Sequence, residues 1–151
     1  MYNQHEQSVL RQQFWTAFGH YMAPIPSSEG IKINWVNYKT GIKDLSFKME
    51  AGAGTADIAI VIAHADTARR SHLFNLFAQL KTQLQSALQE EWQWTPQMDG
   101  GKGKAIGRIY TTLGGVSIYK KDDWPLIISF FKPRIIALDA FWNEVKFAFE
   151  V

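Results

Sequence analysis

Arg69 and Arg70 stand side by side where a helix is expected to begin, just after Asp66 and Thr67, either of which can cap it. The first turn of a helix holds the positive end of the backbone dipole, so a cation there is disfavoured by roughly 0.3–1 kcal/mol. A bound anion would reverse that penalty, because free backbone N–H groups and two guanidiniums together form a phosphate or carboxylate site. The plainer expectation is that each arginine is solvated or pairs with a local acid such as Asp66 or Glu29. Pairing Glu50 with Ala56 in a hairpin would bring Asp44 near Ile62, which gathers Asp44, His64 and the two arginines at one end of a sheet.

Further along, Trp92 and Trp94 are followed by Lys102, Lys104 and Arg108. Aromatic surface interleaved with positive charge supplies the two ingredients of single-strand nucleic-acid binding. The competing expectation is that the alternating Trp residues cover a core edge and that the glycine-lysine loop is only solvated. Several other chemistries lack their parts. Gly100-Gly101-Lys102-Gly103-Lys104 has neither the spacer nor the following Ser or Thr of a phosphate loop. His5, His20, His64 and His72 lack the i, i+4 spacing of a helical metal site. The chain has no Cys, which removes disulfides, thiolate zinc sites and Cys nucleophiles. Ser27, Ser28 and Ser71 stand in no strand-turn-helix elbow. Neither a metal nor a cofactor is therefore expected.

The elements that must position these residues can be read from periodicity. A chain of 151 residues is expected to form a single domain, 1–151. Its 14% aromatic content, with Trp and Phe abundant, implies an aromatic-rich core. A formal charge of +2 gives no global field, so any basic site must be local. The N-terminus lacks the basic start and apolar run of a signal peptide, and no apolar run approaches a membrane span, so the expected location is the cytoplasm.

From Gln4 to Met22, Leu10, Phe14, Phe18 and Tyr21 recur at helical spacing until Pro24 and Pro26 stop the chain. Alternation then predicts a strand over Ile31–Val36 and another over Asp44–Glu50, with one wetter face. Ile58–Ala63 is apolar at every position and should be a central strand covered on both faces. Leu73, Phe77, Leu80, Leu84 and Leu88 predict one helix, and Gly100–Lys104 a mobile loop. Ala105–Leu113 and Val116–Tyr119 read as strands broken at Gly114-Gly115. The last segment, Trp124–Phe149, is a helix begun by Asp122 or Asp123 and so apolar that it must be buried on more than one face or must meet a partner. Pro133 inside it predicts a kink, at roughly 3 kcal/mol for an interior proline. The expected fold is α+β, with a central mixed sheet in the order α-β-β-β-α-β(-β)-α and a long apolar C-terminal helix.

That order, together with Asn37-Tyr38-Lys39-Thr40-Gly41-Ile42-Lys43, Arg108-Ile109-Tyr110, Trp124-Pro125, Ser129-Phe130-Phe131, Arg134–Asp139 and Phe141-Trp142, resembles the domain of unknown function 4268 family over nearly the whole chain. The resemblance implies a link to nucleic-acid processing or defence, since members often occur attached to a nuclease-like domain. It supplies no catalytic residues, and Pro133 departs from the helix expected in relatives. The element order also resembles the core of PD-(D/E)xK nucleases, which implies a restriction-endonuclease-like fold. Those enzymes need an Asp on one strand and an acid-x-Lys on the next to hold Mg²⁺ and orient water. Asp44 could be the first acid, but Asp57-Ile58-Ala59 has alanine where the lysine belongs, and only Lys48 on the neighbouring strand could substitute. The resulting expectation is a non-catalytic nucleic-acid-associated module, binding DNA or RNA through Arg69, Arg70, Lys102, Lys104, Arg108 and Trp92. The alternatives are a protein-interaction or homo-oligomerising domain using the C-terminal helix, and a divergent metal-dependent nuclease using Asp44.

Overall fold

Asn3 starts the first helix, its side chain accepting from the Glu6 N–H at 2.8 Å, and α1 (Gln4–Met22) buries Phe14, Phe18 and Met22. The structure, a computed structural model, describes residues 2–149. Then follow β1 (Leu45–Ala51), β2 (Thr55–Ile62), α2 (Thr67–Gln79), α3 (Lys81–Leu88), β3 (Gln93–Asp99), β4 (Ala105–Gly114) and α4 (Trp124–Val145). The strands form one sheet in the order β1-β2-β4-β3, and every neighbouring pair is antiparallel, so the fold is α+β but the sheet is not mixed.

Other expectations shift for local reasons. Ile31–Val36 is a loop, not a strand. The Asn34 side chain accepts from both Val36 N and Asn37 N, a turn that competes with a sheet ladder, and Trp35 is held by its indole N–H on the Ile25 carbonyl at 2.8 Å. The alternation of Ile31, Ile33 and Trp35 does not map onto burial, since Ile31 is exposed and Ile33 only partly covered, and the loop dips inward at Trp35 and Tyr38. The β1–β2 hairpin forms one residue off the expected register, with Glu50 opposite Asp57 and Leu45 opposite Ile62. The single helix expected over Leu73–Leu88 is two, because Leu80 N turns back to the Phe77 carbonyl. The leucine stripe crosses the break because Leu73 and Leu84, from either side of it, both enter the same core.

Gln93–Asp99, too polar for its period to show, is an edge strand, where Pro96 and a register shift between Thr95 and Met98 are tolerated. Val116–Tyr119 is not a strand: Gly115, at φ 75°, turns the chain out of the sheet while Val116 and Ile118 stay buried. Gly100–Lys104 is a hydrogen-bonded hairpin turn, closed by Gly100 N on the Lys104 carbonyl at 2.7 Å.

α4 runs unbroken through Pro133. The proline is exposed, as is Ser129, whose carbonyl loses its helical donor, so water can satisfy it. Asp123 precedes the helix without capping it; its carboxyl accepts from Ser117 N at 2.9 Å. Burial on more than one face is observed. Phe130, Asp139 and Phe141, which lie off the main stripe, are buried as well. Along the stripe Phe131 meets Phe14 and Phe18 of α1, while Trp142, three turns on, meets Phe47 of β1 and Phe77 of α2. The stripe Ile127, Phe131, Ile135, Leu138, Trp142, Val145 and Phe149 is entirely buried. Of the apolar residues off the stripe, Leu126 and Phe147 are exposed.

Candidate functional site

The helices lie on one face of the sheet. Ile58, Ile60 and Ile62 of β2 and Ile109 of β4 point into the helical layer and are fully buried. Gly107 also points inward, where a Cβ would lie 3.3 Å from the Phe74 ring of α2 and 3.2 Å from the Pro96 carbonyl; the missing side chain lets the helix approach. The alternate residues form the opposite face in regular rows: Ser46, Val61, Arg108 and Thr95; Lys48, Ala59, Tyr110 and Gln93; Glu50, Asp57 and Thr112. Ala59 and Val61 are nearly buried although they stand outside the core cluster, because they lie in register between the longer side chains of Lys48, Tyr110 and Arg108. Strand β2 is thus interior to the sheet, as expected, and apolar from Ile58 on, but its outer side is shielded by neighbouring side chains rather than by a second layer.

On that outer face the Arg108 guanidinium sits 4.2 Å from the centre of the Tyr110 ring. Its nearest acid is Asp57 at 3.8 Å, a loose pairing, since Asp57 accepts more closely from the Thr112 hydroxyl at 2.6 Å. Lys104 and Lys48 line the same groove, with Asp57, Glu50 and Asp99 as its acidic members. A half-buried cation stacked on an aromatic ring is suited to a phosphate and a base presented together.

The remaining sequence candidates are not brought to this groove. Arg70 is 5% exposed, and its guanidinium donates to the His64 carbonyl at 2.8 Å and the Thr67 hydroxyl at 3.3 Å. It therefore ties down the β2–α2 turn on neutral oxygens and pairs with neither Asp66 nor Glu29; Glu29 pairs with Lys146. Arg69 is half-buried and makes no ion pair with a described residue. Asp66 caps α2 as expected, and the His64 ring accepts from Asp66 N at 3.1 Å. Asp44 lies before β1, exposed and at φ 63°, and contributes its carbonyl to Ala63 N. Trp92 is 6% exposed with its indole N–H on Glu90 at 2.6 Å, and Arg134 grips the same carboxylate at 2.8 and 2.9 Å. Its ring is a core edge and offers no face to a base. Trp94 likewise packs inward, edge-on to Phe74. Lys102 sits at the tip of the β3–β4 turn at φ 55°. Among the described residues no group of three or more His, Asp or Glu side chains is placed to hold a metal ion.

Sequence reasoning missed two features. Tyr110 was visible two residues after Arg108, and on a strand that spacing puts both on one face. Asp139, the buried acid of α4, could not be found without the loop that covers it. It accepts from the Tyr38 hydroxyl at 2.5 Å, Ser28 N at 2.7 Å and the Asn143 amide at 3.2 Å, while Trp142 donates to the Thr40 carbonyl at 2.9 Å. Burial first, then the hydrogen bond to Asp139 and the charges of Asp139 and Glu29, push the Tyr38 phenol well above its usual value. No buried side-chain polar atom here lacks a partner, so the cluster fastens the strandless segment after α1 onto α4.

No helix among the described residues is long and apolar enough to cross a membrane. No curated protein and no solved structure matches the chain. Residues 10–146 match the family described as domain of unknown function (DUF4268). The segments Asn37–Lys43 and Arg134–Trp142, which carried the resemblance in the sequence, meet at the Tyr38–Asp139 and Thr40–Trp142 contacts, and with nearly all its length matched the chain belongs to the DUF4268 family.

Proposed function

We propose that this chain is a non-catalytic nucleic-acid-associated module that holds a single strand of DNA or RNA on the outer face of its sheet. The observation that carries the reading is Arg108 stacked on Tyr110, side by side on a face turned away from the helices, with Lys104 at the end of the same groove. A strand laid along β4 would place a phosphate on Arg108 in place of the loosely held Asp57, and a base on Tyr110. Asp57, Glu50 and Asp99 limit the net positive charge of the groove. Modest, salt-sensitive affinity is the consequence.

Fluorescence anisotropy with labelled single-stranded oligonucleotides at low salt tests it. Binding should weaken as salt rises, with log K falling by about 0.7 per log salt for each phosphate neutralised. Arg108→Ala should weaken binding and reduce that slope by about one phosphate's share, whereas Tyr110→Ala should weaken binding with the slope unchanged. Titrations that stay flat for both DNA and RNA would remove the proposal.

A further inference from the structure

The two edges of the sheet differ in what they leave open. β3 carries Pro96 and an irregular register, features that discourage another strand from adding. β1 has neither. Ala63 N donates to the Asp44 carbonyl and Gly52 N to the Thr55 carbonyl, and the register between them is regular. By strand alternation Ser46, Lys48 and Glu50 therefore address β2 with their backbone groups, while Leu45, Phe47, Met49 and Ala51 address the open edge. Leu45 is already satisfied: its N–H reaches the Ile42 carbonyl at 3.3 Å and its carbonyl accepts from the Thr40 hydroxyl at 2.7 Å. Phe47, Met49 and Ala51 present their N–H and C=O groups with no partner among the described residues.

The side chains of this edge are also unmatched. Glu50 stands opposite Asp57, a like-charge pair across the ladder, and Asp57 has its own partners in Thr112 and Arg108. Lys48 stands opposite Ala59. Both Lys48 and Glu50 are exposed, and neither makes an ion pair with a described residue.

We propose that β1 is a homodimer edge, pairing antiparallel with β1 of a second copy about a two-fold axis at Met49. This goes beyond the nucleic-acid reading and does not depend on it. With the axis there, Phe47 faces the partner's Ala51, Met49 faces the partner's Met49, and Ala51 faces the partner's Phe47. These are the residues whose backbone groups are free, so all of them enter hydrogen-bonded pairs. Lys48 then falls opposite the partner's Glu50, and Glu50 opposite the partner's Lys48, both at the close-spaced, non-hydrogen-bonded positions where side chains interact most. One placement satisfies both the backbone and the charges, while the Phe47 ring stays in its own core against Tyr38 and Trp142. The two sheets become one continuous sheet.

Sedimentation of the full chain from about 1 μM to about 500 μM, the range in which edge pairing of this size would show, is the test. A concentration-dependent dimer is expected. Lys48→Glu and Glu50→Lys should each weaken it roughly tenfold, since each turns two attractive pairs into two repulsive ones. An equimolar mixture of those two variants should recover a heterodimer, and the double variant Lys48→Glu/Glu50→Lys should recover the homodimer. Met49→Pro, which removes an N–H that the monomer does not use, should abolish dimerisation with the far-ultraviolet circular dichroism unchanged. A monomer across the whole range, or a dimer indifferent to the charge swaps, overturns the proposal.

Discussion

On β2, Ile58, Ile60 and Ile62 look into the helices, while Asp57, Ala59 and Val61 alternate with them and look away. Both sets are largely shielded from water, yet by different means. The isoleucines are enclosed by rings and aliphatic side chains from α2, α4 and the strands, fixed in place by their own packing. Val61 is shielded chiefly by cross-strand neighbours such as Arg108, whose long side chain can move. Burial on the covered face is therefore rigid and energetic, and burial on the open face is adaptable.

The sharpest way to break that contrast is to shorten one side chain on each face. Ile60→Ala should cost about 2–4 kcal/mol, because the enclosing rings cannot collapse into the space. Val61→Ala should cost about 1 kcal/mol or less, because the flanking side chains can settle into the gap. Urea denaturation midpoints of the two variants give the comparison directly. Equal costs would mean that the outer face is as tightly packed as the inner one.

A polar group should show the same asymmetry. Asp139→Ala strands the buried Tyr38 hydroxyl and takes the acceptor from the more exposed Ser28 N, and should cost about 2 kcal/mol. Asp57→Ala on the outer face frees only a Thr112 hydroxyl and a half-buried arginine that water can reach, and should cost about 1 kcal/mol or less. If calorimetry ranks them the other way, the Tyr38–Asp139 cluster does not fasten the loop.

How far the sequence exposed this contrast depends on what each residue's neighbours are. Ile58–Ala63 announced an interior strand because hydrophobicity is local information, and the helices over Gln4–Met22 and Trp124–Val145 did so for the same reason. Ile31–Val36 alternates in sequence without forming a strand, because Ile31 stays exposed and the Asn34 side chain turns the backbone before Trp35 and Tyr38 dip inward. Gln93–Asp99 was silent because an edge strand that covers little core needs little hydrophobicity. Among the candidate residues, Arg108 and Lys104 emerged on one groove, whereas Arg70 and Trp92 turned inward. Charge and ring type identify what a side chain can do; the partner that occupies it, His64 for Arg70 and Glu90 for Trp92, is set by tertiary structure.

The covered cluster also carries a titration that sharpens the comparison. Tyr38 ionises near 10 in the unfolded chain, and burial beside Asp139 raises it well above that in the fold. In the window above 10 the folded state holds a proton that the unfolded state has lost. The stabilising contribution of Tyr38 is thus fully present below about pH 10 and declines as pH rises through the folded value. Denaturation midpoints measured from pH 9 upward should fall more steeply for the wild type than for Tyr38→Phe.

The smallest effect is the one expected of Arg108. Its guanidinium rests on Tyr110 and a distant Asp57 with no shorter hydrogen bond, so Arg108→Ala should change stability by no more than about 0.5 kcal/mol. Some of its stem shields Val61, which places the change on the destabilising side of zero. A side chain that contributes so little to the fold can be removed without disturbing the face it lies on. Loss of oligonucleotide affinity in this variant, at an unchanged midpoint, would then report the surface itself. A loss of more than 1 kcal/mol would instead make Arg108 part of the packing and remove the distinction between the two faces at the position where it matters most.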